Sequence, residues 1–151
     1  MSDSFLRIIP KDPRHVPPPA GQRRAERSLR SFAPNADEIH SEVKERIEFI
    51  DAGGNTETIT CPHCKATIDD AWWQAEMDRA GADGFRNLAV TPPCCGVSST
   101  LNDLAYSWPA GFASYVLEAM NPGLNDFLDP ARLAQLQADL ACELKQIMAH
   151  Y

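Results

Sequence analysis

The chain has 151 residues, 44% of them hydrophobic and 23% charged, with a formal net charge of -7. That length suits one compact domain with room for a small metal-bound subdomain, and no apolar run is long enough to cross a bilayer. The charge is uneven: residues 1–30 carry seven Lys and Arg against three acids (+4), and the remaining 121 carry seven against eighteen (-11), a body that repels phosphate backbones and draws basic partners.

Met1 to Arg7 shows no charged head followed by an apolar stretch and a small-residue cleavage site, which predicts a cytoplasmic protein. In that reducing setting five cysteines suit metal ligation better than a disulfide framework. Phe5 to Ile9 is an apolar run stopped by Pro10 and predicts a strand. Residues 10–19 hold five prolines and predict an extended connector. Ala20 to Phe32 predicts a helix closed before Pro34, with Arg23, Arg27 and Arg30 on one solvated stripe.

Ile39 to Ile50 fits both periodicities, and its four β-branched residues favour a strand with Ile39, Val43, Ile47 and Phe49 on one face. Asp51 to Asn55 is a turn cluster, and Thr56 to Thr60 leads into Cys61, so the two segments predict a hairpin. Thr67 to Asp70 reads as a capping box for a helix over Asp69 to Ala80, ended by Gly81, with Trp73, Met77 and Ala80 as its apolar stripe. Adjacent Trp72 and Trp73 cannot both point inward on one helix; one is expected to cover the metal-bound segment or face a partner.

Leu88 to Val90 and Thr100 to Trp108 predict strands, while Phe112 to Met120 is apolar at both periods and leaves helix or strand open. Asp129-Pro130 marks a helix start. Leu133, Leu136, Leu140, Leu144 and Ile147 keep helical spacing; a helix stopping near Ala141, followed by a strand from Cys142 to Tyr151, fits as well. Under that second reading the outer segments run strand-helix-strand twice. The fold class expected is α+β, and this order resembles the ferredoxin-like split βαβ arrangement, with residues 1–55 and 107–151 as core and 56–106 as an insertion. His15 and His150 are expected to face solvent, and Cys142 to lie in the core.

The chemistry concentrates in Cys61-Pro62-His63-Cys64 and Cys94-Cys95-Gly96. Two cysteines separated by two residues can wrap one metal because the intervening turn points both sulfurs the same way, and all-cysteine sites are typical of structural zinc. The expectation is one structural Zn2+ held by Cys61, Cys64, Cys94 and Cys95. Residues 56–106 thus resemble a zinc ribbon whose second half departs from the pattern: Pro92 stands where the first cysteine would be, and Cys94 precedes Cys95. Vicinal side chains diverge in a strand, so both can ligate only if the backbone turns between them, which Gly96 would help. The fourth ligand stays open, with Cys95 first and His63 or His40 as substitutes.

Cys-Pro-His-Cys is also similar to the active-site motif of thioredoxin-like periplasmic disulfide oxidases. That resemblance would make Cys61 the nucleophile, Cys64 the resolving thiol and Pro92 a cis-proline candidate. Against it, no aromatic lead-in precedes Cys61, and the predicted helix starts well after Cys64. No phosphate-binding glycine loop, Ser-His-Asp ordering or His-Glu-x-x-His pattern appears. Lys65, Arg79 and Arg86 are the only bases around the knuckles, so a nucleic acid would depend on Arg23, Arg24, Arg27 and Arg30. The function expected is a zinc-stabilised, non-enzymatic protein-binding module, an inhibitor or immunity-type partner of a basic protein, with Trp72, Tyr106 and Trp108 as exposed aromatic contacts. A nucleic-acid-associated zinc-ribbon protein and a thiol-disulfide redox protein are the alternatives.

Overall fold

Two strand–helix–strand units bracket the cysteine-bearing segment in a computed structural model describing residues 2–151. The first unit is β1 (Ser4–Pro10), α1 (Pro19–Phe32) and β2 (Glu38–Ile50). Then come β3 (Ile59–Thr60), α2 (Asp70–Ala82), β4 (Ala89–Val90), β5 (Ser99–Thr100) and β6 (Ala105–Tyr106). The second unit is β7 (Gly111–Met120), α3 (Pro130–Leu140) and β8 (Leu144–His150). One antiparallel sheet has the order β2-β7-β1-β8, so the two strands of each unit are separated by a strand of the other. The chain is α+β.

The position of β7 explains why its periodicity was undecidable. It lies between β2 and β1 with Tyr115, Leu117 and Ala119 buried under the helices and Phe112 and Val116 buried on other contacts, so apolar residues do not alternate with polar ones. Helices α1 and α3 pack on Leu6, Ile8, Tyr115 and Leu117 through Ala25, Leu29, Leu136 and Leu140. They approach closely at Gly21, where a Cβ would stand 2.7 Å from the Asp139 carbonyl oxygen. The buried Asp139 carboxylate accepts from Ser28 Oγ (2.6 Å) and Gln135 Nε2 (3.0 Å), which satisfies it between the helices.

On the sheet's second face, Ile50 and Ala52 pack with Ile9, Val116 and Ile147. Residues 51–55 leave β2 as a strap across this face, tied to Arg7, whose guanidinium donates to Glu118 Oε2 (2.8 Å), to the Asp51 carbonyl (3.3 Å) and to the Tyr151 hydroxyl (2.9 Å). Within the strap, Gly53 bridges to His150 and Gly54 N donates to the His150 carbonyl (2.7 Å). This overturns the expected hairpin. Residues 51–55 cross to β8 rather than turning back on β2, and β3 pairs with β6. Burial of Ile50 and Ala52 against the sheet face, not local turn chemistry, sets this path.

Other expectations also change. In β2 the register jumps from Val43↔Tyr115 to Glu48↔Ala113, five residues against two, and Lys44 ties Glu42 and Glu48 across the bulge (3.1 and 3.2 Å). The bulge flips the face: Val43 is 53% exposed while Ile47 is buried. The N-cap of α2 is Asp69, whose carboxylate accepts from Trp72 N, rather than Thr67, and the helix runs on to Ala82. Trp72 and Trp73 are both half-buried against the module's core, since the helix edge lets each cover part of it. The segment expected as one strand, Thr100 to Trp108, breaks into β5 and β6 because burial of Leu101 and Leu104 forces a turn between them. Tyr106 is half-buried rather than exposed, its hydroxyl donating to the Leu101 carbonyl (2.6 Å).

At the end of the chain the helix-then-strand alternative is the one formed. Helix α3 stops at Ala141 in the left-handed conformation (φ 56), and Gln137 Oε1 accepts from Leu144 N (3.1 Å) as β8 begins. Cys142 is half-buried at the edge of the main core. His150 is exposed as expected, but His15 is half-buried, with Nε2 enclosed and without a hydrogen-bond partner among the described residues.

Candidate metal centre

Both cysteine-bearing turns sit at the tips of short antiparallel pairs. The first is closed beyond β3 by the Thr60–Thr67 bridge, with Cys61 N donating to the Ala66 carbonyl (2.9 Å). The second caps the β4–β5 pair. The two turns share one backbone design. Lys65 N donates to the Cys61 carbonyl (3.0 Å) and Lys65 has φ 66; Gly96 N donates to the Pro92 carbonyl (3.0 Å) and Gly96 has φ 69. Pro92 therefore occupies the place of Cys61, Cys94 that of His63 and Cys95 that of Cys64. Gly96 adopts this left-handed geometry at no steric cost, whereas Lys65 does so with a Cβ.

This turn is what brings vicinal cysteines to one point. Cys61 Sγ lies 3.7 Å from Cys95 Sγ, and Cys64 Sγ lies 3.3 Å from Cys94 Sγ. All four sulfurs fall within 4.8 Å of one another, and among the described residues no His, Asp or Glu joins the group. A disulfide would need about 2.0 Å. Four thiolates bound at about 2.3 Å around one tetrahedral ion sit about 3.8 Å apart, close to the spacing found here. The four-cysteine cluster could hold a metal ion. His63 is exposed on its turn, and His40 lies on β2 facing Glu38 and Glu118, so neither substitute donor reaches the sulfurs.

The four thiols influence one another's ionisation. Hydrogen bonding from the Cys64 backbone, opposed by desolvation and helped by the His63 backbone, pulls the Cys61 thiol down to about 6. With that site anionic, the hydrogen bond to Cys64, desolvation and the nearby Cys61 push Cys94 up to about 12. Cys95 is also raised: the Val97 backbone lowers it, but desolvation and the Cys61 and Cys64 sulfurs outweigh that. Without a cation the sulfurs resist joint ionisation; a divalent ion would reverse this.

Cys61 is 0% exposed, packed with Ile59, Ile68, Met77 and Leu104, while Cys64, Cys94 and Cys95 are exposed. Helix α2 begins at Asp70, so Cys61 is not at a helix N-terminus. No peptide bond is cis among the described residues, so Pro92 does not match the cis-proline of the disulfide oxidases. Of the aromatics expected at the surface, Trp108 is 38% exposed; of the bases, Arg79 pairs with Glu76 (2.7 Å) and Lys65 Nζ donates to the Pro62 carbonyl. The Arg7–Glu118–Asp51 group went unread in the sequence because 111 and 44 positions separate Arg7 from its partners.

No protein-family model, no curated protein and no solved structure matches this chain. No helix among the described residues is long and apolar enough to cross a membrane.

Proposed function

We propose that the chain is a non-enzymatic protein-binding module in which one structural zinc, held by Cys61, Cys64, Cys94 and Cys95, staples residues 56–106 onto a ferredoxin-like core built from residues 1–55 and 107–151. The observation carrying this reading is the sulfur cluster itself: four thiols, all within 4.8 Å of one another, with no other donor type among them. Four sulfurs fill every position of a tetrahedral ion and leave none for water or substrate, which favours a structural over a catalytic metal. The interleaved strand order β2-β7-β1-β8 supports the ferredoxin-like reading.

The partner we infer is a basic protein, bound in the manner of an inhibitor or immunity protein, because the body beyond residue 30 carries a balance of -11. A thiol-disulfide role has less support: Cys61, which would be the nucleophile, is fully enclosed. A nucleic-acid role would rest on exposed Arg23, Arg24, Arg27 and Arg30, of which Arg24 and Arg30 are already turned to the Asp139 and Ala36 carbonyls. Native mass spectrometry tests the metal: the full chain should carry one zinc, and a chelator that strips it should unfold residues 56–106. A folded chain that binds no zinc ends this reading. Cross-linking in the source cell should return one stoichiometric basic protein, released by salt; recovery of chaperones alone counts against the partner.

A further inference from the structure

The seam between sheet and module holds a cleft of about 770 Å³, within the size range of ligand sites. Its aromatic side comes from both bodies: besides Tyr151, whose hydroxyl donates to Asp51, three rings line it, Phe49 at the end of β2, Trp73 on α2 and Tyr106 on β6. The three rings form one packed triangle, with centroid separations of 5.7, 5.8 and 6.3 Å. Their polar tips are already used, since Trp73 Nε1 donates to the Tyr106 hydroxyl (3.3 Å), which itself donates to the Leu101 carbonyl. The cleft therefore sees ring surface, not the donors of the aromatic groups.

The charged groups lining the cleft are all acidic: Asp51, Glu57 and Asp70. Among the described residues no Lys, Arg or His lines it. Asp51 is shared with Arg7 (3.8 Å), whereas Glu57 and Asp70 take part in no ion pair among the described residues. Gln74, which also lines the cleft, turns its amide to Asp78 (3.0 Å).

We propose that this cleft receives an arginine or lysine side chain of the basic partner protein. The inference rests on the protein-binding reading above and supplies its contact point. A carboxylate-rich rim offers acceptors and calls for a cationic donor; the ring surface suits the aliphatic stem and the cation's face together. An acidic ligand would meet like charge, a neutral polar one would leave the carboxylate charge uncompensated, and a purely apolar one would desolvate it. Because Phe49 belongs to the sheet while Trp73 and Tyr106 belong to the cysteine-bearing segment, the cleft exists only when the two are fixed together.

The test is an amide and indole NMR titration of the zinc-loaded full chain with the pentapeptide acetyl-Ala-Ala-Arg-Ala-Ala-amide and its citrulline counterpart, which keeps the shape and lacks the charge. Saturable shifts at the Trp73 indole N–H and at Tyr106, at least about tenfold weaker for citrulline, are expected. The double variant Glu57→Gln, Asp70→Asn should weaken the arginine peptide about tenfold with zinc content unchanged. Glu57→Gln alone, together with added salt, serves if the double variant unfolds. No saturable shift with millimolar arginine peptide, equal binding of the citrulline peptide, or shifts confined to other residues overturns the proposal. Those failures leave a one-zinc mass and a captured partner standing, whereas a zinc-free folded chain ends the underlying reading whatever the peptide does.

Discussion

The sheet-and-helix core is built from strands of seven, thirteen, ten and seven residues that bury Leu6, Ile8, Leu117 and Ile147, whereas residues 56–106 contain only two-residue strands. Long strands bring their own ladder and an apolar face. Two-residue pairs do not, and isolated hairpins are marginal in water even when longer. The inserted segment has a cluster of its own around Met77, Val90 and Leu104, but that cluster is completed by Ile47 and Phe112 from the sheet. One region can be held by burial alone. The other has less of that support, and the place where four sulfurs meet is where a tie would act.

Breaking the tie should have the largest effect. Structural zinc contributes on the order of 10 kcal/mol to small metal-bound domains. Cys61→Ser should abolish zinc in the native mass spectrum, remove amide-exchange protection across residues 56–106 and expose Phe112, leaving a chain whose core strands stay protected but which is prone to aggregate. A well-folded, metal-free variant contradicts the zinc staple. Damage to the core should be smaller and should spare the metal. Leu117→Ala removes a fully buried side chain under the helices and should cost about 2–5 kcal/mol in urea unfolding, with one zinc retained. Simultaneous loss of zinc would erase the contrast between the two regions.

The smallest effect compares the two cysteine turns with each other. Lys65→Gly relieves a left-handed residue at the position Gly96 fills in the second turn, and should gain about 0.5–1 kcal/mol after the entropy of glycine is subtracted. In chelator competition that reads as zinc held about two- to fivefold tighter. Gly96→Ala should shift it the other way by a similar factor. Equal affinities for all three proteins would mean that turn strain is not coupled to metal binding.

Local signals were legible where the physics is local. Pro34 just past the end of α1 and Asp129-Pro130 before α3 mark boundaries through a cap and fixed φ, which act within one turn of chain. The Cys61 turn is of the same kind, closed by a bond from Lys65 to Cys61. The second turn was harder, because nothing in Cys94-Cys95 itself says that the chain bends between two residues that would diverge in a strand. The exposure of Val43 and the half-burial of both Trp72 and Trp73 escaped notice for a different reason: a bulge and a neighbouring core decide them, not their own periodicity.

Taken alone, the order of residues specified the kinds of element and the existence of a cysteine-rich turn, since hydrogen bonds spanning four residues and side-chain periodicity are properties of short windows. Folding in three dimensions decided that β3 joins β6, that residues 51–55 cross the sheet to reach β8, and that Phe49, Trp73 and Tyr106 meet at one cleft. Those choices are made by competition for buried area among groups dozens of positions apart, and no short window of the chain contains both competitors.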